Sequence, residues 1–173
     1  DWNKKIERIV ENAPKWNIGI IAGIPSWCIM LMEKIIMHYN LKSIHDIWPN
    51  LHVYIHGGVY MDPYIDKLNA LSSHKINLLD TYLASEGYFA FQKSIHNKSM
   101  NLLLDSGVFY EFIPFNSEYF DSEGCLKNKN KAFTLNQIQE GVDYALVIST
   151  NAGLWRYIIG DLVRFININE REL

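Results

Sequence analysis

The chain has 173 residues, 49% of them hydrophobic and 13% aromatic, which is enough to bury a sizeable core and argues against global disorder. A formal net charge of −3 leaves no electrostatic footprint for nucleic acid or an anionic membrane. The only two cysteines, Cys28 and Cys125, stand far apart with no histidine cluster beside them, which favours a reduced, cytoplasmic setting and argues against a zinc site.

The apolar run "IAGIPSWCIMLMEKIIMHYN" is interrupted by Pro25, Glu33 and Lys34 and is no membrane span. No signal peptide is visible, so the acceptor pattern "NKS" at Asn97 reads as chance. A start at Asp1 rather than Met, and an end at "NEREL", suggest a piece of a longer protein.

In chain order, "DWNKKIERIVENA" reads as an amphipathic helix with Trp2, Ile6 and Ile9 or Val10 on one face. "NIGIIAG" is a short strand. "PSWCIMLMEKIIMHYN" is a helix with Pro25 in its first turn, and its apolar positions spread widely enough to predict cover on several sides. "IHDIWPN" is a helical turn stopped by Pro49, and "LHVYIHGG" alternates as a strand does. "DPYIDKLNAL" predicts a helix with Asp62 as N-cap and Pro63 at its first position, and "INLLDTYLASEG" returns as a strand. The succession α-β-α-β-α-β predicts an α/β layered sheet with crossover helices over residues 1–95.

Residues 96–173 read differently, as an antiparallel or mixed β portion. "MNLLLDSGVFYEFIPF" predicts two strands around an Asp105-Ser106-Gly107 turn. Residues 116–132 form a polar loop whose Lys127, Lys129 and Lys131 face solvent. "TLNQIQEG" is a helical turn, and "DYALVIST" and "LWRYIIGDLVRFININ" are strands around "NAG".

Three constellations fall at the ends of predicted strands, where open α/β sheets gather ligands. Gly57 and Gly58 either admit a flat ligand close to the backbone or serve a strand-to-helix turn. Tyr82 to Gly87 places Ser85 and Glu86 after an apolar strand. Glu86 is either a ligand for a hard cation such as Mg²⁺ or a hydrated strand end. Asp161 in "YIIGD" either accepts ribose hydroxyls or bonds its own backbone in a turn. Arg156 and Tyr157 read as a salt bridge and a core ring. Trp27, Met30, Met32, Met37, Tyr88 and Phe89 read as core before acyl-pocket lining. His38, His45, His52, His56, His74 and His96 show no metal-like spacing.

Four blocks, "IWPNLHVYIHGGVYMDPY", "TYLASEGYFAFQ", "LLLDSGVFYEFIP" and "YALVISTNAGLWRYIIGDLVRF", keep an order and spacing that resemble the plant auxin-responsive Gretchen Hagen acyl-acid amido synthetases and their bacterial relatives. That family is a branch of the adenylate-forming, firefly-luciferase-like superfamily, and the resemblance runs from about residue 20 to 167. It implies a piece of the large domain of an ATP-dependent ligase. A carboxylic acid is adenylated, and an amino acid amine then displaces AMP. By this resemblance Tyr82 lies against adenine, with Ala84 the small residue of the same motif. Ser85 sits near the phosphates, and Glu86 is the catalytic residue that holds Mg²⁺. Gly57 and Gly58 flank the adenine edge, and Asp161 binds ribose. The implied cofactors are ATP and Mg²⁺. The implied partners are the two substrates and the N- and C-terminal remainder of its own chain, with neither nucleic acid nor membrane. No stretch resembles the family's phosphate loop or its swinging C-terminal domain, so residues 1–173 alone are expected to be inactive. The competing readings are a ligase that passes the acyl group to coenzyme A, and a non-catalytic nucleotide-binding or interaction module.

Overall fold

The computed structural model describes residues 1–127 and 131–173. It contains three α-helices, α1 Trp2–Asn12, α2 Pro25–Tyr39 and α3 Asp62–Ala70. Its eight strands are β1 Ile20–Ala22, β2 Val53–Gly57, β3 Asn77–Ala84, β4 Gly87–Ser94, β5 Asn97–Leu102, β6 Val108–Pro114, β7 Asp143–Thr150 and β8 Tyr157–Arg164. Two compact units divide them. The first comprises Asp1–Ala84 with Gln92–Lys98, the second Ser85–Phe91 with Ser99–Leu173. The result is a mixed α/β fold with parallel strands in the first unit and antiparallel strands in the second.

In the first unit α1 begins at Asp1, whose carboxylate accepts from the Asn3 amide at 3.0 Å, and it buries Ile6 and Val10. Trp2 is not buried with them. It tilts against Trp27, which is also exposed, at 5.0 Å between ring centroids. Pro25 opens α2 at a position that has no helical hydrogen bond to lose, and Asn40, at φ 52, closes it in the left-handed conformation. The buried stripe of α2 is Cys28, Ile29, Met32 and Ile35, which follows the helical repeat. Trp27 and Met37 stay exposed, so α2 is covered on one side and not on several. Asp62 is the first residue of α3 and not its cap, a place taken by Met61, whose side chain makes no cap bond.

Strand β2 pairs with β1 (Val53 with Ile20) and with β3 (Val53 with Asn77), both in parallel. The intervening helices return the chain in the same direction each time, as parallel pairing requires. Beneath the strands lies one apolar core that includes Met32, Ile35, Ile44, Leu51, Tyr54 and Leu68. The Tyr54 hydroxyl donates to the Gly23 carbonyl at 2.9 Å, and burial pushes its pKa far above the ordinary phenol value. Gly57, opposite Thr81, packs so closely that an added Cβ would lie 2.5 Å from the Thr81 carbonyl oxygen and 2.6 Å from its Oγ1. Gly58 has φ +81 and open space where a Cβ would stand. The tip at residues 95 and 96 is organised by Gln92. Its side chain accepts from the Asp80 amide and donates to the Ser94 and Asn97 carbonyls, each at 2.8 Å.

In the second unit β6 runs antiparallel to β7 from Val108–Thr150 to Pro114–Tyr144, and β7 runs antiparallel to β8. The expected hairpin around Asp105, Ser106 and Gly107 does not form, because both edges of β6 are taken. One edge holds β7, and on the other Phe112 exchanges two 2.8 Å backbone bonds with Phe133. Backbone bonds from Met100 and Leu102 reach Leu173 and Arg171 instead. Tyr119 and Phe120 from the long polar loop, and Phe133 directly after it, pack over Ile113, Ala145 and Val147. Lys127 and Lys131 of that loop are exposed, as expected, and Lys129 lies outside the described residues. Among the described residues no helix is long and apolar enough to cross a membrane.

His45 is buried in the first unit with both ring nitrogens engaged. The Ser73 amide donates to Nδ1 at 3.0 Å, and Nε2 lies 3.0 Å from the Leu51 carbonyl, which requires a neutral ring protonated at Nε2. His74 stacks on it at 3.4 Å and His52 tilts against His74 at 4.9 Å. Burial holds its pKa below the ordinary 6.5, opposed by the Leu51 carbonyl and reinforced by the neighbouring histidines.

Two predictions follow from this packing. Gly57→Ala is expected to cost roughly 2–4 kcal/mol by forcing β2 from β3, whereas Gly58→Ala should cost about 1 kcal/mol of backbone strain alone. Equal urea midpoints for the two variants would contradict the packing at Gly57. The second concerns pH. Folded His45 binds its proton more weakly than the unfolded residue, so its stabilisation is complete above pH 6.5 and is lost as pH falls toward the depressed folded value. His45→Gln should therefore flatten the acid side of a denaturation midpoint plotted against pH; a slope identical to wild type would remove His45 as its source.

Candidate functional site

In the first unit the parallel pairing brings two strand ends together. β2 finishes at Gly57 beside Thr81, while β3 continues through Tyr82 and Leu83 to Ala84. Side chains alternate along a strand, so Tyr82 and Ala84 share one face with Asp80, and Thr81 and Leu83 take the other. Tyr82 is half-buried and Leu83 exposed. The Thr81 hydroxyl donates to the His56 carbonyl at 2.8 Å, which ties the end of β2 to β3. Gly57 is thus demanded by Thr81, and Gly58 by its positive φ alone.

His56 is 5% exposed, and its Nδ1 comes within 3.3 Å of an Asp80 carboxylate oxygen. The approach lacks hydrogen-bond alignment, so Nδ1 counts as a buried nitrogen without a well-directed partner. Burial lowers the His56 pKa and the Asp80 charge opposes that shift. Desolvation dominates, and the ring is neutral at pH 7. Asp80 also accepts from the Thr81 amide at 2.8 Å. Sequence reasoning gave Asp80 and Thr81 no role; the only signal was their place one strand over from "HGG", which no linear spacing reveals.

Ser85 and Glu86, the two residues between β3 and β4 in the chain, fall in the second unit. Ser85 is exposed and Glu86 half-buried, so the carboxylate keeps access to solvent. Neither has positive φ. The turn closes at Gly87, where a Cβ would stand 2.9 Å from the Phe89 ring. Phe89 is fully buried and lies edge-on to Tyr110 at 6.3 Å, so it belongs to the core; Tyr88 beside it is exposed.

Asp161 occupies a feature that the sequence did not announce. β8 pairs Leu162 with Ala145 and Ile158 with Val147, so Ile159, Gly160 and Asp161 together face the single residue Leu146. This is a β-bulge two residues deep, with Gly160 at φ +99. Asp161 is exposed on it. The aspartate therefore sits within a strand and not in a turn; a bulge of this kind re-aims the side chains it carries. Arg156 forms the expected ion pair, its Nε donating to Glu111 Oε2 at 3.0 Å. Tyr157, expected in the core, is 41% exposed.

Gly57, Gly58, Tyr82 and Ala84 thus belong to the first unit, and Ser85, Glu86 and Asp161 to the second. Among the described residues no group of three His, Cys, Asp or Glu side chains gathers as a metal cage. The donors on offer at the β3–β4 turn are a carboxylate and a hydroxyl, hard oxygens of the type Mg²⁺ takes one or two at a time beside phosphate and water.

Residues 101–171 match the GH3 family central domain. The indole-3-acetic acid-amido synthetase GH3.2 of Arabidopsis thaliana is 30% identical over 127 residues, 70% of this chain and 23% of that protein. GH3.4 of the same plant is 32% identical over 127 residues, again 70% of this chain and 20% of that protein. The jasmonoyl-L-amino acid synthetase JAR6 of Nicotiana attenuata is 29% identical over 128 residues, 70% of this chain and 21% of that protein. The chain spans about a fifth to a quarter of the length of these relatives. Among solved structures, the GH3.15 acyl acid amido synthetase superposes with a TM-score of 0.72 over 99% of this chain and 38% of that one, at 12% identity. A 2-hydroxyisobutyryl-CoA ligase does so with a TM-score of 0.63 over 96% of this chain and 34% of that one, at 15% identity. At such identities the structures speak for the fold alone, while the sequence matches are the more specific: residues 101–171 carry the GH3 central-domain sequence, and the chain is similar to GH3 amido synthetases over 70% of its length.

Proposed function

We propose that the full-length protein is an ATP-dependent acyl-acid amido synthetase of the cytoplasm. The observation that carries this reading is the sequence likeness to amido synthetases over 70% of the chain. Fold likeness alone does not choose the acyl acceptor, because an amido synthetase and a coenzyme A ligase share it. Both cysteines are free, as suits a reducing compartment.

In this reading the substrate carboxylate attacks the α-phosphate of ATP, forming the acyl-adenylate as the bond to pyrophosphate breaks. The amine of an amino acid then attacks the acyl carbon and loses a proton, and AMP departs. Tyr82 offers its ring face to adenine, with Gly57, Gly58 and Ala84 as the residues of small or absent side chain beside it. Asp161 accepts the ribose hydroxyls. Ser85 donates to a phosphate oxygen, and Glu86 supplies the protein carboxylate for Mg²⁺. That cation, when bound, neutralises charge growing on the phosphates. What the chain contributes is positioning and fixed charge and not covalent chemistry.

Two experiments on the full-length protein test the proposal. In ATP–pyrophosphate exchange with a panel of carboxylic acids, Glu86→Gln should lower the rate by about 100-fold or more, with an unchanged melting curve, since the substitution keeps the size of a half-buried side chain. Asp161→Ala should raise the KM for ATP by about tenfold and leave kcat nearly alone. Exchange that ignores the Glu86 substitution would remove Glu86 from the site. In the second, acyl transfer is assayed with amino acids and with coenzyme A side by side; product only with the thiol would overturn the amide assignment.

A further inference from the structure

We propose that Arg156 and Arg164 are positioning residues that clamp β8 at its two ends and so hold the Gly160–Asp161 bulge in place. The proposal rests on the ribose-binding role of Asp161 given above. β8 is the outer strand of the sheet β6-β7-β8 and is held along one edge only among the described residues. Its bulge needs two residues beyond the count of its partner, and nothing in the backbone ladder itself decides where along the strand that excess falls. A slip of one residue would turn Asp161 to the opposite face.

The two arginines bracket the excess. At the near end Arg156 immediately precedes Tyr157, the first paired residue. Its backbone N–H donates to Ser149 Oγ on β7 at 2.9 Å, and its Nε reaches past β7 to Glu111 on β6 at 3.0 Å. One residue therefore ties three strands together. Arg156 holds φ +48, a conformation costly for a long side chain, and one that persists only where the surroundings over-determine it. Glycine or asparagine would take that backbone more readily, and what arginine adds at this position is the ion pair with Glu111. The Glu111 side chain is 15% exposed and needs the cation. At the far end Arg164 meets Asp143, its own register partner, through Nε to Oδ1 at 2.7 Å and Nη2 to Oδ2 at 2.6 Å. That two-point contact fixes angle as well as distance. Between the clamps the eight residues Tyr157–Arg164 face the six residues 143–148 of β7, and the two extra residues are stored opposite Leu146.

The test uses the full-length protein and steady-state ATP–pyrophosphate exchange. Arg156→Asn keeps a residue that tolerates positive φ and removes the ion pair; Arg164→Gln keeps a hydrogen-bond donor and removes the charge. Each should raise the KM for ATP about three- to fivefold, the size of one partly exposed ion pair, with kcat within about twofold. Arg156→Lys and Arg164→Lys should recover most of the loss. The decisive arm repeats both substitutions in an Asp161→Ala background, where the added effect should vanish because the positioned group is gone. The same KM increase with and without Asp161 would overturn the proposal, as would lower melting temperatures with an unmoved KM. If Asp161→Ala itself leaves the KM for ATP unchanged, the ribose reading has failed and the clamp proposal falls with it, whereas an Asp161 effect without an arginine effect sinks the clamp alone.

Discussion

The parallel pairing of β2 with β3 is the constraint on which the first unit depends. Parallel neighbours require a crossover, so α3 carries the chain back over the sheet before β3 begins. Both strands then finish on the same edge. His56 to Gly58 and Thr81 to Ala84 become neighbours although some two dozen residues separate them in sequence. The approach at Gly57 leaves no room for a methyl group, and the Thr81 hydroxyl bonds across the same gap. Residues at this edge are set by the backbone of the adjoining strand before any ligand is considered.

The second unit solves a different problem. Its β7 is buried along nearly all its length, with aromatic rings from the long loop over one face and Phe112, Tyr144 and Phe165 stacked edge-on elsewhere. β8 at the border is mostly exposed and, among the described residues, pairs on one side only. A carboxylate there avoids the desolvation that a core position would impose. The same holds for Glu86 on a two-residue turn. Both acidic groups proposed to meet nucleotide and metal stand where charge is cheap to keep, one on a turn and one on a bulge. An accessible charge is what electrostatic catalysis of phosphoryl chemistry demands.

Much of the fold was legible. The periodicity of α1 and α2, Pro25 and the run of alternating elements through Ala84 led to the parallel α/β portion, because amphipathic repeats report burial directly. What went astray depended on partners far along the chain. Asp105 to Gly107 has the composition of a hairpin turn, but β6 finds β7 and Phe133 before it can find β5. The strand β4 and the tip at residues 95 and 96 were not foreseen, because the bonds of Gln92 to Asp80, Ser94 and Asn97 that shape the tip use a side chain with no local turn signature. The apolar circumference of α2 promised more cover than Trp27 and Met37 receive.

The residue types of the candidate site were fixed in the linear text: a glycine pair after a strand, "YLASE", and a Gly-Asp within an apolar run. Chemistry can be read from such types because a carboxylate, a hydroxyl and a missing side chain keep their properties in any fold. Their geometry could not be read there. That Gly57 answers to Thr81, that Asp161 rides a bulge and that two arginines bracket it are consequences of strand register, which depends on long-range backbone pairing and is invisible to any window of neighbouring residues.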